Sequence, residues 1–263
     1  MTQRDAGILA DADIAALFES GLLKSARPLD VDQIQPASLD LRLGAKAYRV
    51  RASFMPGPGT PVIDKLERLK LHEIDLTAGA VLETGCVYIV PLLESLSLSP
   101  ELSASANPKS STGRLDIFTR VITDGAQEFD KVPAGYKGPL YLEVSPRTFP
   151  IVARTGSRLS QIRFRKGRAQ LSEAELATLH QNETLVASEM PNISGGGIAL
   201  SVDLSGGEDK LIGYRGKHHT AVVDVDKRAA HDVLDFWEPI YDRGSRELVL
   251  DPDEFYILVS REA

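Results

Sequence analysis

Between about residues 38 and 165 the apolar residues come in short, β-branched runs. "AVLETGCVYIVPLL", "RLDIFTRVIT", "GPLYLEVS" and "FPIVARTG" are separated by Gly, Pro, Ser and Asp. In "ASLDLRLG", Leu39, Leu41 and Leu43 alternate with Asp40, Arg42 and Gly44, the period of a half-buried strand. Many short strands with frequent turn signals predict a mainly β body, a sandwich or a distorted jelly-roll-like barrel.

A few short helices flank these strands. "LADADIAALFESGLL" offers Asp11 as an N-cap, Ile14, Leu17 and Phe18 at helical spacing, and Gly21 as a stop. A second helix is predicted over residues 172–186, with Ser172 and Glu175 spaced as a capping box. The "SGGG" that follows, from Ser194 to Gly197, reads as a linker. The division is then 1–168 for a first β domain, 169–195 for helix and Gly-rich linker, and 196–263 for a second part.

That second part echoes the first. "ALSVDLSG" is similar to "ASLDLRLG", and "RELVLDPDEFYILVSREA" to "GAVLETGCVYIVPLLES". Leu41 to Leu82 spans 41 positions and Leu204 to Leu250 spans 46. The similar spacing predicts a partial second copy of the same unit, ending before its own "NPKSSTGR". Two unrelated β segments are the alternative.

Composition narrows the function. A net charge of −7 gives no basic footprint for nucleic acid. The one cysteine, Cys86, permits no internal disulfide, which suits a reducing cytoplasm, and is read as a small buried hydrophobe. The N-terminus has no apolar leader segment and no later run approaches a membrane span. No P-loop and no "GxSxG" elbow occurs. One cysteine cannot build the His/Cys/Cys zinc site of the common nucleobase deaminases. The histidines, His72, His180, His218, His219 and His231, suggest no metal centre.

The chemistry-bearing stretch is "NPKSSTGRLDIFTR". Lys109 and Arg114 bracket Ser110, Ser111, Thr112 and Gly113: two cations, three hydroxyls and a glycine that lets backbone N–H groups approach. That combination suits a phosphate cradle, although a Ser-rich turn before a strand is an equally ordinary reading.

With its downstream segments, "KSSTGRLDI…VPAGYKGPLYLEV…TGSRLSQIRF" resembles the dCTP deaminase and dUTPase superfamily. The opening "GILADADIAALFESG…QIQPASLDLRLG" is similar to its deaminase branch, and the whole looks closest to bacterial two-copy dCTP deaminase-like proteins. The resemblance covers about residues 7 to 168. It implies a distorted β-barrel of the dUTPase type, assembled as a trimer with sites between subunits. It also implies zinc-independent deamination of dCTP to dUTP and ammonia, with Mg²⁺ entering as the partner of the triphosphate.

On this resemblance Glu143, in "PLYLEVS", matches the family's general base and acid. Read from alternation alone, it is an outward-facing residue beside Leu142. Ser111 matches the serine that helps place the water. Arg114 matches the arginine expected to stabilise charge and orient Glu143. Lys109 and Ser110 are expected on phosphate, with Thr112 and Gly113 in the same cradle, and Gln161 is a further phosphate contact. Tyr141 and Leu142 are expected beside the base. dUTP and dTTP are further candidate ligands.

The sequence departs from the family at one turn. Pro133 in "VPAGYKG" stands where the family has an aspartate that holds the sugar 3′-hydroxyl, and Asp130 or Glu128 is expected in its place. The basic "IGYRGKHH", Ile212 to His219, has the flavour of the family's closing segment but reads equally as a solvated turn. dUTP pyrophosphatase activity and a non-catalytic nucleotide-binding copy are the rival readings.

Overall fold

Residues 6–188 and 190–262 are described by the computed structural model of the chain. In chain order it begins with β1 (Gly7–Ile8), α1 (Asp11–Glu19), β2 (Leu23–Ser25), β3 (Ile34–Gln35), β4 (Ser38–Arg42) and β5 (Lys46–Val50). Then come α2 (Val62–Leu69), β6 (Lys70–Asp75), β7 (Ala80–Leu82), β8 (Val87–Ser97) and β9 (Leu102–Pro108). α3 (Ser110–Gly113) leads to β10 (Ile117–Thr123), β11 (Lys131–Val132), β12 (Lys137–Pro146), β13 (Ile151–Ala153) and β14 (Arg158–Lys166). The rest holds α4 (Glu173–Glu183), β15 (Asn192–Ser194), β16 (Gly197–Ala199), β17 (Leu211–Gly216), β18 (Val223–Asp224), α5 (Val233–Phe236), β19 (Trp237–Tyr241) and β20 (Tyr256–Leu258).

The protein is mainly β, as its runs of short strands predict. The first compact unit reaches Ala169 and includes His219–Ala230. It contains two six-stranded sheets. One runs β11-β9-β14-β4-β3 with β1 added on β14. The other runs β10-β12-β8-β5-β6 with β2 added on β8. Neither closes on itself among the described residues, so the expected barrel is a pair of open sheets. The chain leaves β9 in one sheet and enters β10 in the other through α3. The sheets approach closely at Gly44, whose N–H donates to Pro91 O at 2.8 Å. A Cβ there would lie 2.5 Å from that oxygen, so only glycine fits.

Local rules explain most boundaries. α1 starts one residue earlier than expected: Ala10, not Asp11, is the N-cap, and Asp13 in the first turn accepts from its N–H at 3.3 Å. Ser172 and Glu175 do form the reciprocal box at the start of α4. β4 is buried on both faces, Asp40 and Arg42 included, and is not the half-buried strand that alternation predicts. Arg42 tolerates burial because Glu94 accepts from its Nε at 2.9 Å and from its backbone N–H at 2.8 Å. Cys86 is partly exposed rather than buried.

The second unit comprises Gln170–His218 and the chain from His231 onward. The expected glycine linker is a hairpin turn: β15 and β16 pair, and Gly195 and Gly196 take φ of 62° and 77° between them. Of the two internal echoes, one is structural. Tyr88 Oη accepts from Glu83 N at 3.0 Å, and Tyr256 Oη from Asp251 N at 3.1 Å, the same reach of five residues. The other is weak, since "ALSVDLSG" pairs only through Ala199 at the end of β16 and a short bridge of Val202 to Ser260, and leaves Leu200 and Val202 exposed.

Residues 219–230 lie within sequence expected to belong to the second part, yet they join the first unit. β18 adds in parallel to β13, and Arg154 makes paired bonds to Asp224 at 2.6 and 2.7 Å. The guanidinium holds the Asp224 carboxyl well below the usual carboxylate range.

Candidate active site

β12 and β10 are antiparallel neighbours. Their register sets Glu143 opposite Arg120, Tyr141 opposite Ile122 and Ser145 opposite Phe118. Opposed residues share a face, so these six side chains lie together. Leu140, Leu142 and Val144 point the other way and are fully buried.

On alternation alone the Glu143 face would be the wet one. A second apolar layer covers it instead. Val62 and Leu66 of α2 join Phe54 and Ala126 against Ile89, Ile122 and Tyr141, with Met55 and Phe129 at the margin. The layer is stitched across two loops: Gly57 N donates to Ala126 O at 3.1 Å, and Gly125 N to Thr60 O at 2.9 Å. Asp124 accepts from Val62 N at 2.7 Å and so caps α2. Asp124 N in turn donates to Tyr136 Oη at 3.2 Å, and that hydroxyl donates to Pro139 O at 2.6 Å. Burial pushes the Tyr136 hydroxyl up to about 12. The "VPAGYKG" turn therefore reaches the site indirectly, by supporting its cover.

Glu143 is 1 % exposed. Its Oε1 accepts from Arg120 Nε at 3.0 Å and from Arg120 Nη2 at 2.6 Å. Its Oε2 is buried with no hydrogen-bond partner. Arg120 Nη2 also donates to Ser53 Oγ at 2.8 Å. The guanidinium carbon lies 3.6 Å from the Phe129 ring centre and 4.8 Å from that of Phe118. Asp130 stands nearby in a left-handed turn with φ of 61°, and its Oδ1 accepts from Val121 N at 2.7 Å. Burial raises its carboxyl above the usual range.

The remaining expected residues form a second cluster. Ser110, Ser111, Gly113 and Arg114 are exposed, and Thr112 is buried. None of them bonds to Glu143. Arg114, expected to orient Glu143, caps the end of α3; Arg120 holds the carboxylate. Lys109 pairs with the buried Asp40. Gln161 sits opposite both Asp40 and Asn107, and its Oε1 accepts from Ser38 Oγ at 2.9 Å. Leu142, expected beside the base, is instead a core residue, with its side chain on the far face and its strand paired on both sides. Tyr141 packs into the cover. Tyr214 and Arg215 of the "IGYRGKHH" stretch belong to β17, and Arg215 pairs with Glu238.

Arg120, Ser53 and Phe129 were not legible as site residues. The available signal was register: pairing "IFTRVIT" against "LYLEVSP" sets an arginine across from the glutamate. Among the described residues no group of three or more His, Cys, Asp or Glu side chains is placed to hold a metal ion.

Comparison with known proteins adds to this geometry. Residues 5–168 match the family model for the 2′-deoxycytidine 5′-triphosphate deaminase (DCD) N-terminal domain, and residues 172–263 match that for its C-terminal domain. The chain is 31% identical over 184 residues to the dCTP deaminase of Natronomonas pharaonis, covering 67% of this chain and 91% of the relative. It is 31% identical over 158 residues to a "dCTP deaminase, dUMP-forming" of Tropheryma whipplei, covering 60% and 76%. A crystal structure of 2′-deoxycytidine 5′-triphosphate deaminase from Agrobacterium tumefaciens is 75% identical, with a TM-score of 0.95 over 99% of this chain and 78% of that one.

Proposed function

This chain belongs to the 2′-deoxycytidine 5′-triphosphate deaminase family, and from that premise we propose that Glu143 carries the protons as it converts dCTP and water to dUTP and ammonia. The observation that supports Glu143 is its buried Oε2, a carboxylate oxygen without a donor beside one held by a cation. Water gives one proton to Glu143 while its oxygen bonds to C4 of the base, and ring N3 takes up that proton. The remaining hydroxyl proton passes through the same carboxyl to the amine. The C4–N4 bond then breaks, leaving a C4 carbonyl and free ammonia. General acid–base transfer of this kind contributes about 10²–10⁴ in rate.

Mg²⁺ is proposed to arrive with the triphosphate, as part of the substrate. Its ligands would then come from phosphate oxygens and water, the habit of a small hard cation. Lys109, Ser110, Thr112, Gly113 and Gln161 are proposed on the phosphates, with Lys109 exchanging Asp40 for phosphate. Asp130 is proposed to hold the sugar hydroxyl. With a deoxynucleotide as substrate, the cytoplasm is the compartment we propose; among the described residues no helix is long and apolar enough to cross a membrane.

Some relatives are named as forming dUMP. Here Pro133 stands where the family turn has an aspartate, and Asp130 Oδ1 already accepts from Val121 N. This favours dUTP as the final product.

The exposure of Ser111 and Arg114, and their lack of any bond to Glu143, favour a shared site in which one copy supplies this motif to the Glu143 of another, and the trimer expected from the family is the assembly we propose. The test is complementation. Glu143→Gln and Arg114→Ala chains, each inactive alone, are expected to regain deamination when co-expressed. If the mixed preparation stays inactive while both chains assemble together, the shared site is wrong.

A further inference from the structure

We infer that Arg120 is the positioning residue of Glu143, fixing Oε1 so that Oε2 alone is left to exchange protons, and that Phe129 keeps Arg120 in that pose. This rests on Glu143 as the proton carrier.

The contact pattern carries the inference. An arginine free to choose meets a carboxylate fork to fork, with one N–H on each oxygen. Here Nε and Nη2 both fall on Oε1. The guanidinium is kept from sliding toward the fork by contacts on other sides. Ser53 Oγ takes a second proton of Nη2. The Phe129 ring stacks 3.6 Å below the guanidinium carbon, close enough for a strong cation–π attraction, and Phe118 flanks it at 4.8 Å. The other carboxylate nearby, Asp130, accepts from Val121 N–H through Oδ1 and makes no ion pair with Arg120 among the described residues.

Two consequences follow. The guanidinium gives the buried glutamate a charged partner that its apolar cover does not. The glutamate also loses its rotational freedom, so Oε2 keeps one direction toward the reacting water. Misplacing a catalytic group by an ångström lowers rate about 10²-fold, which sets the size of the effect.

Arg120→Ala is therefore expected to lower kcat about 10²-fold with KM for dCTP changed only a few-fold. Methylguanidinium added to the medium is expected to recover part of kcat saturably, by occupying the place of the lost group. Arg120→Lys, with one ammonium and no planar face for Phe129, is expected to recover less than Arg120→Ala with methylguanidinium. Should Arg120→Ala not fold, Phe129→Leu keeps the ion pair but removes the ring, and kcat is expected to fall about tenfold by the same loss of positioning. Wild-type kcat in a folded Arg120→Ala or Phe129→Leu protein would overturn the inference. So would a loss of kcat in Arg120→Ala that methylguanidinium does not relieve. If Glu143→Gln is inactive in the same assays, such results defeat the role of Arg120 alone; if Glu143→Gln is active, the proton-carrier reading falls first.

Discussion

Glu143→Gln is expected to reduce kcat for dCTP deamination by about 10²–10⁴-fold, the range that a positioned acid–base group supplies. The substitution keeps volume and planarity in a closely packed site. Glutamine still offers its Oε1 to Arg120, so the fold and the stack on Phe129 should survive. What it lacks is an oxygen that can gain and release a proton at the position of Oε2. The affinity for dCTP, measured by calorimetry on the variant, should stay within a few-fold of wild type. A variant with near wild-type kcat would remove Glu143 from the chemistry. A variant that has lost both turnover and binding, with its unfolding midpoint intact, would make Glu143 a substrate-binding group.

The second large effect lies outside the site. Arg42 and Glu94 form an ion pair whose side chains are 3 % and 0 % exposed. Glu94 also accepts from Gln33 Nε2 at 2.9 Å, and Arg42 donates to Ser25 Oγ at 2.7 Å and Pro28 O at 2.8 Å. This network ties β4 to β8, the strands that link the two sheets of the first unit. Glu94→Ala takes away the buried counter-charge and leaves the guanidinium only the half-exposed Asp30, 3.3 Å from Nη1, so the loss is expected toward the lower end of the about 3–5 kcal/mol typical of a broken buried pair. The expected result is a large drop in the denaturant midpoint of the first unit. Replacing both partners together, Arg42→Met with Glu94→Leu, should recover most of that loss, because the unpaired charge is gone. A midpoint unmoved by Glu94→Ala would mean that Asp30 and solvent suffice for Arg42 and that Glu94 is not its essential partner.

The sequence made some of this legible, for local reasons. Leu39, Leu41 and Leu43 mark their strand by period, Ser172 and Glu175 mark their helix start by reciprocal bonding, and the "KSSTGR" stretch lies where the chain passes from one sheet to the other. What stayed hidden depends on long-range packing. Glu143 and Leu142 occupy opposite faces of a strand buried on both, so alternation could not say which face was wet. The deciding element is α2, eight residues long, whose Val62 and Leu66 join the apolar cluster with Ile122 and Tyr141 on the glutamate's face of the sheet. Arg120 gains meaning only from register, which no single strand contains. "SGGG" has a linker's composition and a hairpin's backbone, and composition alone does not separate them. The 219–230 segment joins the first unit through a parallel pairing of two residues and an ion pair across seventy positions of sequence, beyond the reach of local pattern.

The most direct measurement of the central claim is ion-exchange analysis of products after wild-type protein is incubated with dCTP and Mg²⁺, with dUTP as a parallel substrate and ammonia determined in the same samples. The account predicts dUTP and ammonia in equal amounts from dCTP, with dUTP itself left intact. Pyrophosphate and dUMP from either nucleotide would contradict dUTP as the final product, and absence of ammonia from a folded, dCTP-binding protein would contradict deamination itself.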